Sequence, residues 1–95
     1  MTIGILTLTL RLPDCHSLKE KRRLIKPIVA RLHKEFNISV VEYGHQDVWQ
    51  SSELLIACAA SPGNHVENTL SNVVAFYECH WPDLPLIGEK IEIIA

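Results

Sequence analysis

The stretch that decides the fold is residues 3–23, IGILTLTLRLPDCHSLKEKRR, which joins a strand pattern directly to a helix start. From Ile3 to Leu12 apolar and polar residues alternate, so the leucines share one face and the threonines with Arg11 share the other. Pro13 closes the alternating run, because proline cannot continue a strand ladder. The pattern predicts a half-buried β-strand.

The second part of the stretch predicts a helix. Ser17 stands three residues before Glu20, an S-x-x-E pattern in which each side chain satisfies a backbone donor of the other. The helix should run to about Phe36, but Pro27 lacks the amide that would bond to the carbonyl of Arg23, so we expect a kink or an irregular turn there. Its expected apolar stripe is Leu18, Ile25, Val29, Leu32 and Phe36, with Leu24 and Ile28 beside it.

The remaining elements alternate in a simple order. Residues 38–43 and 54–60 are rich in strand-forming residues, residues 64–80 have helical periodicity, and residues 86–94 supply a last strand. The order β-α-β-β-α-β predicts a ferredoxin-like α+β sandwich, with a four-stranded antiparallel sheet and two helices on one face. In that topology residues 13–23, 44–53 and 79–85 lie at the same end of the sheet.

Length and composition limit the possibilities. With 95 residues, 47% of them apolar and 21% charged, residues 1–95 are expected to form one globular domain. The start of the chain lacks the charged region of a signal peptide, and no apolar run approaches the ~20 residues that span a bilayer. We therefore expect a cytoplasmic protein with no membrane partner.

Charge is distributed very unevenly along the chain. Residues 1–36 carry eight basic and three acidic groups, and residues 37–95 carry one basic and eight acidic groups, so +5 and −7 sum to the net charge of −2. A basic helix start also offers free N–H groups and a favourable dipole to an anion. This clustering indicates a phosphate site, most simply the backbone of a nucleic acid, formed by Lys19, Lys21, Arg22, Arg23 and Lys26.

The alternative interpretation of these cations is a solvated helix face whose charges meet the protein's own acids. The helical phase directs Lys19, Arg23 and Lys26 outward and leaves Lys21 and Arg22 at the border of the buried sector. Those two side chains would have to extend toward the end of the sheet to keep their charges in a polar environment.

A second polar motif lies between the two central strands, where a plain hairpin needs only two to five turn residues. In one interpretation its tryptophan stacks on a base or a partner side chain while its polar groups form hydrogen bonds. In the other, Asp47 holds Lys21 or Arg22, and Trp49 closes the end of the core. The candidate residues are His45, Gln46, Asp47, Trp49 and Gln50.

No motif indicates a cofactor or an enzyme class. The chain has no G-x-x-x-x-G-K, G-x-G-x-x-G, G-x-S-x-G or H-E-x-x-H, and no catalytic residue is assigned. The pairs Cys15-His16 and Cys79-His80 could approach one end of the sheet, but their spacing does not match that of zinc ligands, so no metal site is expected. Cys58 is expected in a strand core, and all three thiols are expected to be reduced.

The two polar motifs, SLKEKRR at 17–23 and HQDVWQ at 45–50, together with FNISV at 36–40, resemble the YlxP-like family, bacterial proteins described only as a domain of unknown function. The resemblance extends from Gly4 to the last strand. It implies a ferredoxin-like fold and a frequent genomic association with translation and ribosome maturation, and it implies no established activity. Pro27 departs from the residue expected at that helix position.

Two hypotheses of different classes follow. The first is a small non-enzymatic module that holds RNA or a ribosomal surface with the basic helix start and the 45–50 segment. The second is a protein-interaction module or homo-oligomer, which pairs through an edge strand or through the sheet face that carries Thr7 and Thr9. A small-molecule site at the same end would need a pocket that includes His45 and Asp47.

Overall fold

The computed structural model describes residues 1–44, 48–61 and 64–94. Its elements are β1 (Thr2–Arg11), α1 (Leu18–Glu35), β2 (Ser39–Gly44), β3 (Ser51–Ala60), α2 (Asn64–His80) and β4 (Leu86–Ile93). The strands form one sheet in the order β2-β3-β1-β4, and each neighbouring pair is antiparallel. The predicted ferredoxin-like α+β fold is confirmed.

Strand β1 forms the centre of the core. Leu6, Leu8 and Leu10 are fully buried and lie in one cluster with the apolar faces of both helices, as the alternation predicted. Gly4 continues this inward phase, and a Cβ atom there would collide with the side chains of Val66 and Leu70 on α2. Glycine therefore allows α2 to approach β1 closely.

Helix α1 begins at the predicted cap and does not break at Pro27, although the Glu20 carboxylate accepts a hydrogen bond from the His16 amide at 3.4 Å and not, as the motif predicts, from the Ser17 amide. The Ser17 hydroxyl accepts a hydrogen bond from the Glu20 amide at 3.1 Å, and the helix continues to Glu35. The irregular turn expected near Pro27 is thus not found. Pro27 is exposed, so water can reach the carbonyl that its missing amide leaves without a partner.

The buried stripe of α1 differs from the expected one in its first turn, and farther along Ile28 is buried while the expected Val29 and Phe36 are only partly buried. It consists of Lys21, Ile25, Ile28 and Leu32, and Leu18 is instead 36% exposed. The spacing of four, three and four residues is an ordinary helical stripe. A lysine therefore takes the core-facing position that the sequence pattern had assigned to a leucine.

Strand β3 begins at Ser51, three residues before the apolar run that predicted it. Ser52 and Ser51 pair with Leu10 and Arg11 of β1. These serines have weak strand preference on their own, so the pairing with β1 determines their conformation. The connection between β2 and β3 is correspondingly shorter.

Three segments meet at the end of the sheet where α1 begins, as predicted. The Leu12 amide donates to the Gln50 carbonyl at 2.9 Å, and the Arg11 amide donates to the Pro85 carbonyl at 2.9 Å. Helix α2 is held at this end by Tyr77, whose buried hydroxyl donates to the Leu84 carbonyl at 2.6 Å. We call this end the loop end. Neither helix is long and apolar enough to cross a bilayer, as judged on the residues described.

Candidate functional site

The basic cluster of the sequence divides into one buried cation and several exposed ones. Lys21 is 2% exposed, and its Nζ lies 3.0 Å from Glu42 Oε2 on β2. The same ammonium donates to the Val48 carbonyl at 2.8 Å. Lys21 thus crosses from α1 to the segment between β2 and β3, and its charge is engaged inside the protein.

Glu42 is the acceptor that makes this burial possible. Its carboxylate also accepts a hydrogen bond from the buried Ser52 hydroxyl at 2.7 Å. A buried ammonium needs such partners, because its desolvation costs several kcal/mol (on the order of 5) when they are missing. No motif in the sequence marks Glu42 as a site residue, and the one available signal is the alternation of β2, which places it on the same face as the buried Val40.

Lys21 was predicted as a phosphate contact, and its position in the structure corrects that part of the site. The prediction that Lys21 extends toward the loop end is correct, and its partners there include a carboxylate and a carbonyl. Asp47, which was considered as its counter-ion, lies outside the described residues, as do His45 and Gln46.

The other four predicted cations face solvent. Among the described residues none of them forms an ion pair, whereas Arg31 farther along α1 pairs with Glu35 at 3.0 Å. Arg22 follows Lys21 directly, so its side chain emerges beside the buried one on the flank of the helix. The exposed cations, which we call the basic face, are Lys19, Arg22, Arg23 and Lys26.

A groove runs between α1 and strand β2, beside the basic face. Its volume is about 440 Å³, and Ile25 and Val29 form part of its floor. Arg22, Lys26 and Glu42 also line it. The groove thus combines apolar walls with two cations and one carboxylate, whose charge the buried Lys21 meets.

Trp49 is available for contact. It is 48% exposed, and its neighbours Val48 and Gln50 are exposed as well. The interpretation in which Trp49 closes the core is therefore wrong. Trp81 takes that position, since it packs against the core with its ring 5.3 Å from that of Tyr77.

A second groove lies next to the exposed tryptophan. It holds about 360 Å³ at the loop end, and Arg11, Val48 and Gln50 are among its lining residues. The groove connects the segment before β3 with the start of β4 through Ile87. The small-molecule hypothesis requires a pocket that includes His45 and Asp47, and both residues lie outside the described residues.

The cysteine and histidine pairs have separate environments. The buried Cys15 thiol donates to the Ser17 carbonyl at 3.3 Å, whereas Cys79 is exposed. His80 stacks on Phe76 with ring centroids 3.9 Å apart, and its Nδ1 lies 2.9 Å from the Phe76 carbonyl oxygen. Within residues 1–44, 48–61 and 64–94 no group of three or more His, Cys, Asp or Glu side chains could hold a metal ion.

Comparison with known proteins adds a family and no activity. A family model described as "Protein of unknown function (DUF503)" matches residues 3–88. The chain is 42% identical over 65 residues to the uncharacterized protein YlxP of Bacillus subtilis (strain 168), a match that covers 68% of this chain and 71% of the relative. Neither description states what the proteins bind.

Proposed function

The chain belongs to the DUF503 family, which confirms the YlxP-like resemblance of its motifs, and from this premise we propose that it is a small non-enzymatic RNA-binding module. The basic face holds phosphates, and Trp49 with Gln50 contacts an unpaired base. His45, Gln46 and Asp47 remain part of the proposed contact surface. The expected setting is cytoplasmic, on RNA or on an RNA-bearing surface of the ribosome.

The observation that carries this proposal is the contact between Lys21 Nζ and the Val48 carbonyl at 2.8 Å. It joins the helix turn that bears Arg22 and Arg23 to the residue next to Trp49. The cations and the exposed indole therefore belong to one end of the molecule. A phosphate and an adjacent base need that combination, because phosphates supply sequence-independent affinity and aromatic rings supply stacking.

The distribution of charge also favours the loop end as the surface that contacts RNA. The basic face has no acidic partner among the residues described, so an approaching polyanion meets its full charge. Residues 37–95 are acidic overall and repel the same polyanion. RNA is thus directed to helix α1.

The first test is the salt dependence of RNA binding. Fluorescence anisotropy with a labelled single-stranded RNA should give an affinity that falls steadily with salt. Three or four phosphate contacts predict that the logarithm of the association constant declines against the logarithm of the salt concentration with a slope of roughly −2 to −3 for a single strand. Replacing Arg22 and Arg23 together by Ala should weaken binding and make the slope shallower by more than about one unit.

The matched control removes the same charge from the other end of the same helix. The double variant Arg31→Ala with Lys34→Ala has the same net charge as the Arg22 and Arg23 double variant. It also breaks the Arg31–Glu35 ion pair, but that pair is exposed and lies outside the basic face, so RNA binding should stay within about threefold of the wild type. Equal losses in both double variants, or an affinity that does not respond to salt, would overturn the proposal.

A second test concerns the indole. Trp49→Ala should weaken binding by roughly fivefold or more, because the stacking of one base contributes about 1–3 kcal/mol. Trp49→Phe should retain most of the affinity, because phenylalanine also stacks. If the two variants lose affinity equally, the indole does not act through stacking.

A further inference from the structure

Strand β4 is an edge strand that exposes both apolar and charged side chains. It lies at the end of the strand order, beside β1. Ile91 and Ile93 are 38% and 47% exposed, and Ile94, just after the strand, is 59% exposed. Edges are commonly protected by short length, proline or charged side chains, whereas an exposed edge of eight residues still offers unpaired backbone groups to another strand. The charges that β4 does carry therefore decide which strand can pair with it.

The direction of the backbone groups on β4 follows from one hydrogen bond. The Ile94 amide donates to the Ile3 carbonyl at 2.8 Å. Because hydrogen-bonded and non-hydrogen-bonded pairs alternate in an antiparallel ladder, Lys90 and Glu92 also direct their backbone groups toward β1. The backbone groups of Glu89, Ile91 and Ile93 therefore point away from the sheet, where a new strand would meet them.

The side chains of β4 alternate in the same way. Ile91 pairs with the buried Leu6 and so lies on the helix-bearing face. Lys90 pairs with Thr7 and Glu92 with Ile5, so both charged side chains lie on the opposite, open face of the sheet. There Lys90 Nζ and Glu92 Oε1 are 3.3 Å apart within the strand.

We propose that β4 pairs antiparallel with β4 of a second copy of this chain, about a two-fold axis that passes through Ile91 perpendicular to the sheet. Lys90 then lies opposite Glu92 of the second copy, and Glu92 opposite its Lys90. These are non-hydrogen-bonded positions, where the Cβ atoms of opposed residues come closest. The two cross-strand ion pairs are equivalent by symmetry.

The order of charges along β4, Glu89-Lys90-Ile91-Glu92, favours this register over those in which the axis passes through a residue close to Ile91. A two-fold axis perpendicular to the sheet requires directly opposed residues to share a face, so the axis must pass through a residue. An axis at Lys90 sets two ammonium groups opposite each other, and an axis at Glu89 or Glu92 sets two carboxylates opposite each other. Like charges in direct opposition are destabilising, so Ile91 is the favourable centre.

The pairing also covers apolar surface. Three pairs of outward residues, Ile91 with Ile91 and Glu89 with Ile93 in both directions, allow roughly six new backbone hydrogen bonds, two for each pair. On the helix-bearing face a groove of about 400 Å³ between α2 and β4, lined by Ser71, Val74, Glu89 and Ile91, opens beside the axis. Ile93 of the second copy lies at its mouth.

This surface is independent of the RNA-binding proposal. Helix α1 packs on β2, at the other edge of the sheet from β4. Pairing through β4 therefore leaves the basic faces of both copies exposed at the two outer edges of a continuous eight-stranded sheet, four strands from each copy. The failure of one proposal would leave the other standing.

Sedimentation equilibrium over a wide concentration range tests the pairing. The wild type should shift from monomer to dimer mass with rising concentration. Lys90→Glu and Glu92→Lys should each raise the dissociation constant by roughly tenfold or more, since each sets like charges opposite each other at two symmetry-related positions. Lys34→Glu, the same change at an exposed position of α1, should have no comparable effect.

Exchanging the charges of Lys90 and Glu92 is the most decisive test of the pairing. The double variant with Lys90→Glu and Glu92→Lys should dimerise like the wild type, and a mixture of the two single variants should form a heterodimer more tightly than either single variant forms a homodimer. Ile91→Pro, which removes an outward amide on the axis without removing a bond to β1, should abolish dimers and leave the fold detectable by circular dichroism. A wild type that stays monomeric, single variants that dimerise undiminished, or a failed exchange would overturn the proposal.

Discussion

Helices α1 and α2 are each held at the loop end by the hydrogen bonds of one buried polar side chain, and we call these two sets of contacts the ties. The tie on α2 is neutral, whereas the tie on α1 is charged. On α2 the neutral Tyr77 hydroxyl donates to one carbonyl, that of Leu84, at 2.6 Å. On α1 the Lys21 ammonium needs at least a carboxylate and a carbonyl, those of Glu42 and Val48. A buried hydroxyl is satisfied by one good hydrogen bond, whereas a buried charge also needs a counter-charge.

The difference has a functional consequence at the basic face. The tie on α1 holds the segment before β3 beside the cations, and its strength depends on Glu42. The tie on α2 holds a loop that carries none of the proposed RNA contacts. Variants of Lys21 or Glu42 should therefore affect RNA binding through the position of Trp49, while variants of Tyr77 should affect stability alone.

The largest effect is expected from Lys21→Ala. It leaves Glu42 without its buried cation and the Val48 carbonyl without that donor, so the free energy of unfolding should fall by about 2–4 kcal/mol. Urea unfolding at one fixed protein concentration measures the loss. Lys21→Met, which retains the apolar stem, should lose less, and a loss below about 1 kcal/mol for Lys21→Ala would show that the tie is weak.

The second-largest effect on the free energy of unfolding is expected from Glu42, and it tests the coupling between Lys21 and Glu42. Glu42→Gln removes the counter-charge and should cost about 1–3 kcal/mol. In a double-mutant cycle with Lys21→Met the two losses should not add, and the interaction energy should be about 1–2 kcal/mol. Additive losses would contradict a direct pair, because independent sites add within about 0.5 kcal/mol.

Tyr77→Phe tests the neutral tie and should cost about 1 kcal/mol through the lost hydrogen bond to Leu84. Burial raises the pKa of the Tyr77 phenol above its ordinary value. The unfolded chain therefore releases this proton first, near pH 10, so the contribution of Tyr77 is complete below that pH and declines as pH rises beyond it.

The pH dependence is measured as a difference between the two proteins. Urea unfolding at pH 8 and pH 10.5 should show a larger alkaline loss for the wild type than for Tyr77→Phe, and all other titrating groups are common to both. If the two proteins lost the same stability between pH 8 and pH 10.5, the Tyr77 phenol would have to titrate alike in the folded and the unfolded state.

The smallest change in the free energy of unfolding is expected for substitutions of the exposed cations of α1. Arg22→Ala and Arg23→Ala should each change the free energy of unfolding by less than about 0.5 kcal/mol, since surface charges without buried partners contribute little. The same urea experiment compares them directly with Lys21→Ala. If Arg22 proved as important for stability as Lys21, the division between a tie and a contact surface would be wrong.

Much of the fold could be predicted because its signals are local. The alternation of residues 3–12, the S-x-x-E cap at Ser17 and the periodicity of residues 64–80 each act within a few neighbouring residues. The boundaries were less predictable. The serines that begin β3 have no apolar signal of their own, and they are held in the strand by Leu10 and Arg11, some 40 residues earlier in the chain.

The features of the candidate site also divide into those that the sequence predicted and those that it did not. The sequence by itself determined the clustering of cations at the start of α1, the polar segment that follows β2, and the topology that brings both to the loop end. Only the tertiary structure decided that Lys21 turns inward while Arg22 and Arg23 stay in water, and that Trp81 rather than Trp49 packs on the core. The three consecutive cations have similar local preferences. The fate of Lys21 depends on Glu42, 21 positions away, which the pairing of β2 with β3 places beneath the helix.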